Sequence, residues 1–199
     1  MKDLWDKRYA TEEFIYGREA NAFFASQLEL LAPGILLLPG EGEGRNAVHA
    51  ALAGWKVEAF DQSRVAAEKA LAYAAEMNVH LDYVVSGIEE SSILPEAYDA
   101  VGLIYVHAPP PLRTRLHSRV VQSLKPGGTV ILEAFHVSQL GNDTGGPKIP
   151  DLLFTEEIIR TDFSGLEINK LEQVCVHLDE GAYHQGEAEI IQFLGRKTN

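Results

Sequence analysis

Three glycines at alternate positions, Gly40, Gly42 and Gly44, and a carboxylate further on, Asp61, are the residues whose types and spacing point most directly to chemistry. Without a Cβ, glycine lets a ligand approach the backbone, and a loop of this kind between a strand and a helix presents amides at the helix N-terminus. Asp61 stands 21 positions after Gly40, at the end of the next apolar run. That is the place from which a carboxylate accepts hydrogen bonds from both hydroxyls of a ribose. The two features need each other, because a glycine loop alone is also a plain tight turn. The spacing is G-x-G-x-G, not the G-x-G-x-x-G of dinucleotide binders. Arg45 stands where a third glycine would let helix and strand close around a pyrophosphate, which weakens an NAD-type oxidoreductase reading.

Other candidate groups follow the later apolar runs. His107 comes just after one of them and is the candidate base for a substrate that must lose a proton, since imidazole titrates near neutrality; its alternative is a histidine that hydrogen-bonds loop backbone. Glu133 and His136 lie at a strand's C-terminal end, the side on which open α/β sheets bind ligands, and are candidates for shaping a pocket. Trp5, Tyr9, Phe14 and Tyr16 form an aromatic group placed either to cover a bound ligand or to pack a terminal helix. His177 and His184 flank Asp179 and Glu180 without a cysteine at ligand spacing, so no metal site is expected. A G-x-S-x-G elbow and a P-loop lysine are both missing, and Cys175 has no evident activating partner, which argues against hydrolase and NTPase chemistry.

Alternating strands and helices would position these groups. Ile35–Leu38, Val57–Phe60, Leu81–Val85, Ala100–Val106 and Thr129–Ala134 are short apolar runs suited to strands buried on both faces. Between them, Asn46–Ala53 and the alanine-rich Val65–Met77 predict helices, the second started by Ser63 or Gln62, and a proline run at 109–111 opens a helix reaching about Leu124. Lys125-Pro126-Gly127-Gly128 is turn chemistry. Between Phe135 and Leu153 the glycines and prolines predict a long loop, in which Gly145-Gly146-Pro147-Lys148 is placed to close over a pocket. Thr155 caps a short helix, and Leu166–Leu178 and Glu189–Gly195 pair as a hairpin. The expectation is a doubly wound α/β fold: a mostly parallel seven-stranded sheet with helices on both faces and a C-terminal antiparallel hairpin.

At 199 residues, 46% hydrophobic and 23% charged, the chain is expected to form a single domain, with 1–30 as an N-terminal helical segment covering the site. A net charge of −12 disfavours nucleic acid and anionic membrane surfaces as partners. One cysteine rules out an internal disulfide, and no apolar run is long enough for a signal peptide or a membrane span, so a cytoplasmic protein is expected. Oligomeric state is not legible.

Pro39-Gly40-Glu41-Gly42-Glu43-Gly44-Arg45-Asn46-Ala47, Phe60-Asp61-Gln62-Ser63, Tyr98-Asp99-Ala100 and Leu124-Lys125-Pro126-Gly127-Gly128 resemble, in order and spacing, the successive motifs of class I S-adenosylmethionine methyltransferases. Trp5-Asp6-Lys7-Arg8-Tyr9 and Tyr16-Gly17-Arg18-Glu19-Ala20-Asn21 resemble the start of the branch containing tellurite-resistance and thiopurine methyltransferases. The resemblance implies S-adenosyl-L-methionine as cofactor and a small-molecule acceptor methylated by in-line displacement. It implies that Gly40, Glu41, Gly42 and Asn46 border the methionine part, that Asp61 takes the ribose hydroxyls and that Gln62 and Ser63 border the adenine. It further implies that Gly87, Ile88 and Glu89 contact the ring, that Tyr105 to His107 lie beside the reactive methyl, and that Tyr16 belongs to the cover. Two positions depart from the pattern. Leu38-Pro39 replaces an acidic residue at the first strand's end, with Glu41 as the substitute, and Ser86-Gly87-Ile88-Glu89 lacks the usual aspartate. An NAD-type oxidoreductase and a non-catalytic cofactor-binding protein remain as alternatives.

Overall fold

The computed structural model describes residues 2–198. Helices α1 (Lys2–Tyr9) and α2 (Ala22–Leu28) precede a sheet whose strands alternate with helices: β1 (Ile35–Pro39), α3 (Arg45–Leu52), β2 (Lys56–Asp61), α4 (Arg64–Glu76), β3 (Asp82–Val85), β4 (Tyr98–Ile104), α5 (Pro110–Ser123) and β5 (Leu124–Phe135). Then come α6 (Glu156–Asp162), β6 (Glu167–Asp179) and β7 (Gln185–Arg196). The strand order is β3-β2-β1-β4-β5-β7-β6, with β1 to β5 parallel and β7 antiparallel to both neighbours; the mostly parallel seven-stranded sheet and its closing hairpin are those the sequence predicts. The order reverses direction between β1 and β4, and at such a switch point the loops that follow the two strands separate and leave a crevice.

Two apolar layers hold the helices on the sheet. On one face Phe24, Leu28, Val48 and Ala74 of α2 to α4 meet Leu36, Leu38 and Ile131; on the other, Leu116, Val120, Ile159 and Phe163 of α5 and α6 meet Leu37, Val101 and Phe193. Strands buried on both faces have no polar side, which is why β1 and the 100–104 part of β4 read as apolar runs. Ser63 and Thr155 cap α4 and α6 by accepting bonds from Ala66 N (3.2 Å) and Ile158 N (3.3 Å), each satisfying an otherwise orphaned donor.

The structure moves several boundaries, among them the start of β7, which lies at Gln185 and not at Glu189. β4 ends at Ile104, two residues before the apolar run does, because Tyr105 takes a positive φ of 54° that no strand accommodates. β5 begins at Leu124 because Lys125–Gly128 is not a free turn: Gly127 N donates to Lys197 O at 2.8 Å, and Lys197 N to Gly128 O at 2.9 Å. The 135–153 segment contains two single-turn 3-10 helices, Val137–Gly141 and Pro150–Leu152, the first capped where His136 Nδ1 accepts from Ser138 N. Among the described residues no helix is long and apolar enough to cross a membrane.

Between α5 and α6, Asp162 accepts from Arg113 Nε at 3.0 Å and from His117 Nδ1 at 2.8 Å, and the His117 ring stacks 4.5 Å from Phe163. Burial drives the His117 imidazole down, only partly opposed by Asp162. Burial alone would raise the Asp162 carboxyl, but its bonds to His117 and Arg113 hold it below the ordinary range. Both depressions act in one direction: stability is present above the groups' ordinary pKa values and is lost as pH falls. Asp162→Ala strands a buried guanidinium and should cost about 3–5 kcal/mol in urea unfolding at pH 7. The difference from wild type should widen as pH falls from 7 toward 4, because without Asp162 the buried His117 resists protonation further; a variant equally destabilised at both pH values would refute this account.

Candidate functional site

The glycine loop is bolted to the end of β2. Gly40 N and Glu41 N both donate to Phe60 O, at 2.8 and 3.2 Å, and Gly44 in the left-handed region (φ 87°) starts α3. Gly42 N donates to Asp61 Oδ2 at 3.2 Å, and Ser63 N to Asp61 Oδ1 at 2.8 Å, so the carboxylate stands between loop and helix α4. Burial pushes its carboxyl up, and the backbone donors of Ser63 and Gly42 oppose that. Half-buried Gln62 lies between the two on the chain. The loop's glycines leave little room for a side chain: a Cβ on Gly40 would meet Val106 at 3.3 Å, and one on Gly42 would lie 2.8 Å from the Tyr9 hydroxyl. Tyr83 Oη donates to Gly42 O at 2.6 Å.

Helix α1 lies over this loop. Tyr9 is buried and stacks on Trp5 at 5.5 Å, and Asp6 Oδ1 accepts from Ser63 Oγ at 2.6 Å. The Arg8 guanidinium bridges α1 to the β6–β7 turn, lying 4.9 Å from the Trp5 ring and 4.8 Å from Tyr183. Tyr16 belongs to the same cover through its bond from Arg8 Nη1 at 3.2 Å. Phe14 does not: its ring meets Tyr73 of α4 edge-on at 5.4 Å, beneath Arg18 and Lys69.

Glu41 and Asn46 turn inward. Glu41 Oε1 accepts from Ala47 N at 2.8 Å, satisfying a free donor in the first turn of α3, while Asn46 Oδ1 accepts from Asn21 N at 2.9 Å. Gly87 is near Asp61 through its neighbour, since Ser86 N donates to Asp61 O at 2.9 Å. Ile88 packs on the core and its carbonyl accepts from Arg119, and the Glu89 carboxylate is paired at the surface with Arg115 of α5.

Beyond β4 lies a second polar cluster, whose function the spacing does not signal. Glu133 Oε1 accepts from Asn21 Nδ2 (2.6 Å) and Tyr105 Oη (2.9 Å), and Oε2 from Gln192 Nε2 (2.8 Å). Glu180 accepts from Asn21 Nδ2 (3.1 Å) and pairs with Arg45 (2.9 Å) and His184 (3.2 Å). The His184 ring lies 4.6 Å from Tyr105, 5.1 Å from Phe135 and 4.5 Å from Tyr16, and Gly145 and Gly146 press against Phe135 so closely that a Cβ on either would clash. Arg45, seen in the sequence only as a missing glycine, is thus an ion-pair partner, and His184 a wall of aromatic packing. His107 sits apart from the cluster's carboxylates: Nδ1 donates to Leu152 O at 2.6 Å and Nε2 accepts from Phe135 N at 3.4 Å. Burial pushes its imidazole down to about 4, leaving it neutral. His136 is a helix cap facing Glu156.

Burial raises the Glu41 carboxyl to about 7, against its bonds to Ala47 and Asn46. A raised carboxyl contributes stability that is fully present below its ordinary pKa and lost as pH rises through the folded value. Glu41→Gln should therefore gain on wild type as pH rises from 5 to 8, by on the order of 3 kcal/mol. Parallel denaturant curves at pH 5, 6.5 and 8 check this, and a constant difference would contradict it.

Residues 37–128, which carry the glycine loop and Asp61, match a family described as a methyltransferase domain. No curated protein matches the chain. Among solved structures, TehB from Haemophilus influenzae superposes with a TM-score of 0.75 at 16% identity, covering 99% of this chain and 67% of that one. The N-methyltransferase NodS from Bradyrhizobium japonicum WM9, in complex with S-adenosyl-L-homocysteine, gives 0.75 at 14% identity over 100% and 98%. A S-adenosylmethionine-dependent methyltransferase from Methanosarcina mazei gives 0.71 at 16% over 90% and 99%. At such identities these likenesses speak for the fold. The segment that carries the glycine loop and Asp61 is thus similar to a methyltransferase domain, and the sheet around it has the fold of these solved methyltransferases.

Proposed function

We propose that the chain transfers a methyl group from S-adenosylmethionine to a small-molecule acceptor, with Gly40, Gly42 and Asp61 at the heart of the cofactor site. The observation that carries this reading is the contact of Asp61 with Gly42 at the switch point of the sheet, in a loop where a side chain at Gly42 would press on Tyr9. Bound there, the cofactor supplies a methyl already activated on a sulfonium, so the protein's work is to bind, orient and keep out water.

In this reading Asp61 exchanges its backbone partners for the ribose hydroxyls, and Gln62, Ser63 and the backbone at Gly87 and Ile88 border the adenine. Glu89, engaged with Arg115, contributes little. Glu41 and Asn46 serve the methionine part by fixing the start of α3 rather than by direct contact. Residues 2–30 belong to the same domain as its cover, with Trp5, Tyr9 and Tyr16 as the sealing surface, and residue 1 lies outside the described residues. Tyr105, Phe135 and His184 wall the acceptor side. His107 holds the 152–153 backbone as a neutral imidazole and takes no proton in the reaction. The charge of −12 argues against a nucleic-acid acceptor.

Calorimetric titration with S-adenosylhomocysteine, with NAD as control, tests the assignment. Micromolar binding is expected for wild type, and Asp61→Ala should weaken it about 100-fold, the loss of two hydrogen bonds to a charged group. Tight NAD binding, or an unaffected variant, would sink the reading. A second measurement addresses His107: in NMR titration its ring signals should stay at neutral shifts from pH 8 to pH 5, and an inflection near 6.5 would restore it as a base.

A further inference from the structure

A cleft of about 510 Å³ opens between the 16–23 segment and strands β6 and β7. Its lining includes the apolar Val176, Leu178 and Ile190 and the polar Asn21, Glu133 and Gln192, with Asn21 and Gln192 hydrogen-bonded to Glu133. The volume suits a small organic molecule. Glu133 is 3% exposed, and its three partners, Asn21, Tyr105 and Gln192, are all neutral donors. A buried carboxylate ordinarily has a cation beside it. The two guanidiniums that line the cleft are committed elsewhere, Arg45 to Glu180 at 2.9 Å and Arg18 to Glu76 at 2.8 Å. Glu19 and Asp179 add further negative charge along the walls.

We propose that this cleft holds the methyl acceptor and that the acceptor is a small amine with an apolar body, its nitrogen at Glu133 and its body on Val176, Leu178 and Ile190. The inference rests on the methyl-transfer reading above and gives its substrate class. The placement suits the reaction because Glu133 is one hydrogen bond from Tyr105, just past the end of β4, and the next residue, Val106, lies where a Cβ on Gly40 of the glycine loop would meet it. An ammonium beside Glu133 supplies the missing counter-charge, and burial, which pushes the Glu133 carboxyl up, fits it to accept the ammonium's proton. The freed nitrogen lone pair then forms the new carbon–nitrogen bond as the methyl–sulfur bond breaks, with that bond's electron pair left on sulfur.

The test uses the full chain and three matched probes, phenethylamine, phenethyl alcohol and phenylacetate, titrated calorimetrically with and without S-adenosylhomocysteine. Wild type should bind the amine in preference to the other two, and Glu133→Gln should weaken amine binding about tenfold or more. Glu19→Lys, at an exposed rim position, should weaken it a few-fold and decides the matter if Glu133→Gln does not fold. Equal or tighter binding of the acid or the alcohol, no binding of any probe, or amine affinity unchanged in the folded variants would overturn the proposal. Failure to bind S-adenosylhomocysteine counts against the methyl-transfer reading instead, and the titrations without it still decide the amine preference of the cleft.

Discussion

The carboxylate of Glu180 joins parts of the chain that no strand pairing connects. It accepts from Asn21 ahead of α2, pairs with Arg45 at the first position of α3, and holds His184 within its own turn. Burial would raise this carboxyl, but His184 and Arg45 outweigh it and bring it down to about 2, so the charge is fixed under any ordinary condition. A pair buried this deeply adds little net stability, because desolvating both partners offsets most of their attraction; removing one partner leaves the other stranded. The pair's service is therefore geometric. It ties the exit of the glycine loop to the hairpin turn, and through Asn21, whose side chain also caps α2 by accepting from Phe24 N, it ties both to Glu133 on β5.

From that tie the site divides into two kinds of construction. The half proposed for the cofactor is local: the loop, Asp61 and Ser63 lie within one strand–helix–strand–helix unit, and their mutual bonds are mostly backbone to side chain. The half proposed for the acceptor is assembled from distant pieces, with Tyr105 brought inward by a backbone conformation that costs a non-glycine residue energy. Its bond to Glu133 and its packing on Phe135 and His184 hold the tyrosine there.

This division governs what the sequence discloses. The loop, the strand-ending aspartate, the caps at Ser63 and Thr155 and the closing hairpin are all written in residues a few positions apart, and each was readable. The turn of Tyr105 out of β4 was not, because an apolar run carries no mark of where φ changes sign. Glu41 is read toward a ligand by its place in the motif, yet the free amides at the start of α3 offer its buried carboxylate a nearer partner. Glu89 finds Arg115 only because the sheet order sets α5 beside the loop after β3. The Asn21–Glu133–Gln192 cluster depends on β5 lying next to β7, which no local spacing encodes.

The span of the ties through Asn21 and Glu180 also sets an order of events during synthesis. Asn21 and Glu180 are 159 residues apart and Arg45 and Glu180 are 135 apart. At about 5–20 residues per second, a ribosome takes on the order of ten seconds to travel that far. Over that interval β1, β2 and the glycine loop can already form, while Arg45 has no counter-ion and α1 has no hairpin turn to rest on. Until the β6–β7 turn has left the ribosome, the ties through Glu180 cannot form, so the two ends of this network can be joined only late in synthesis.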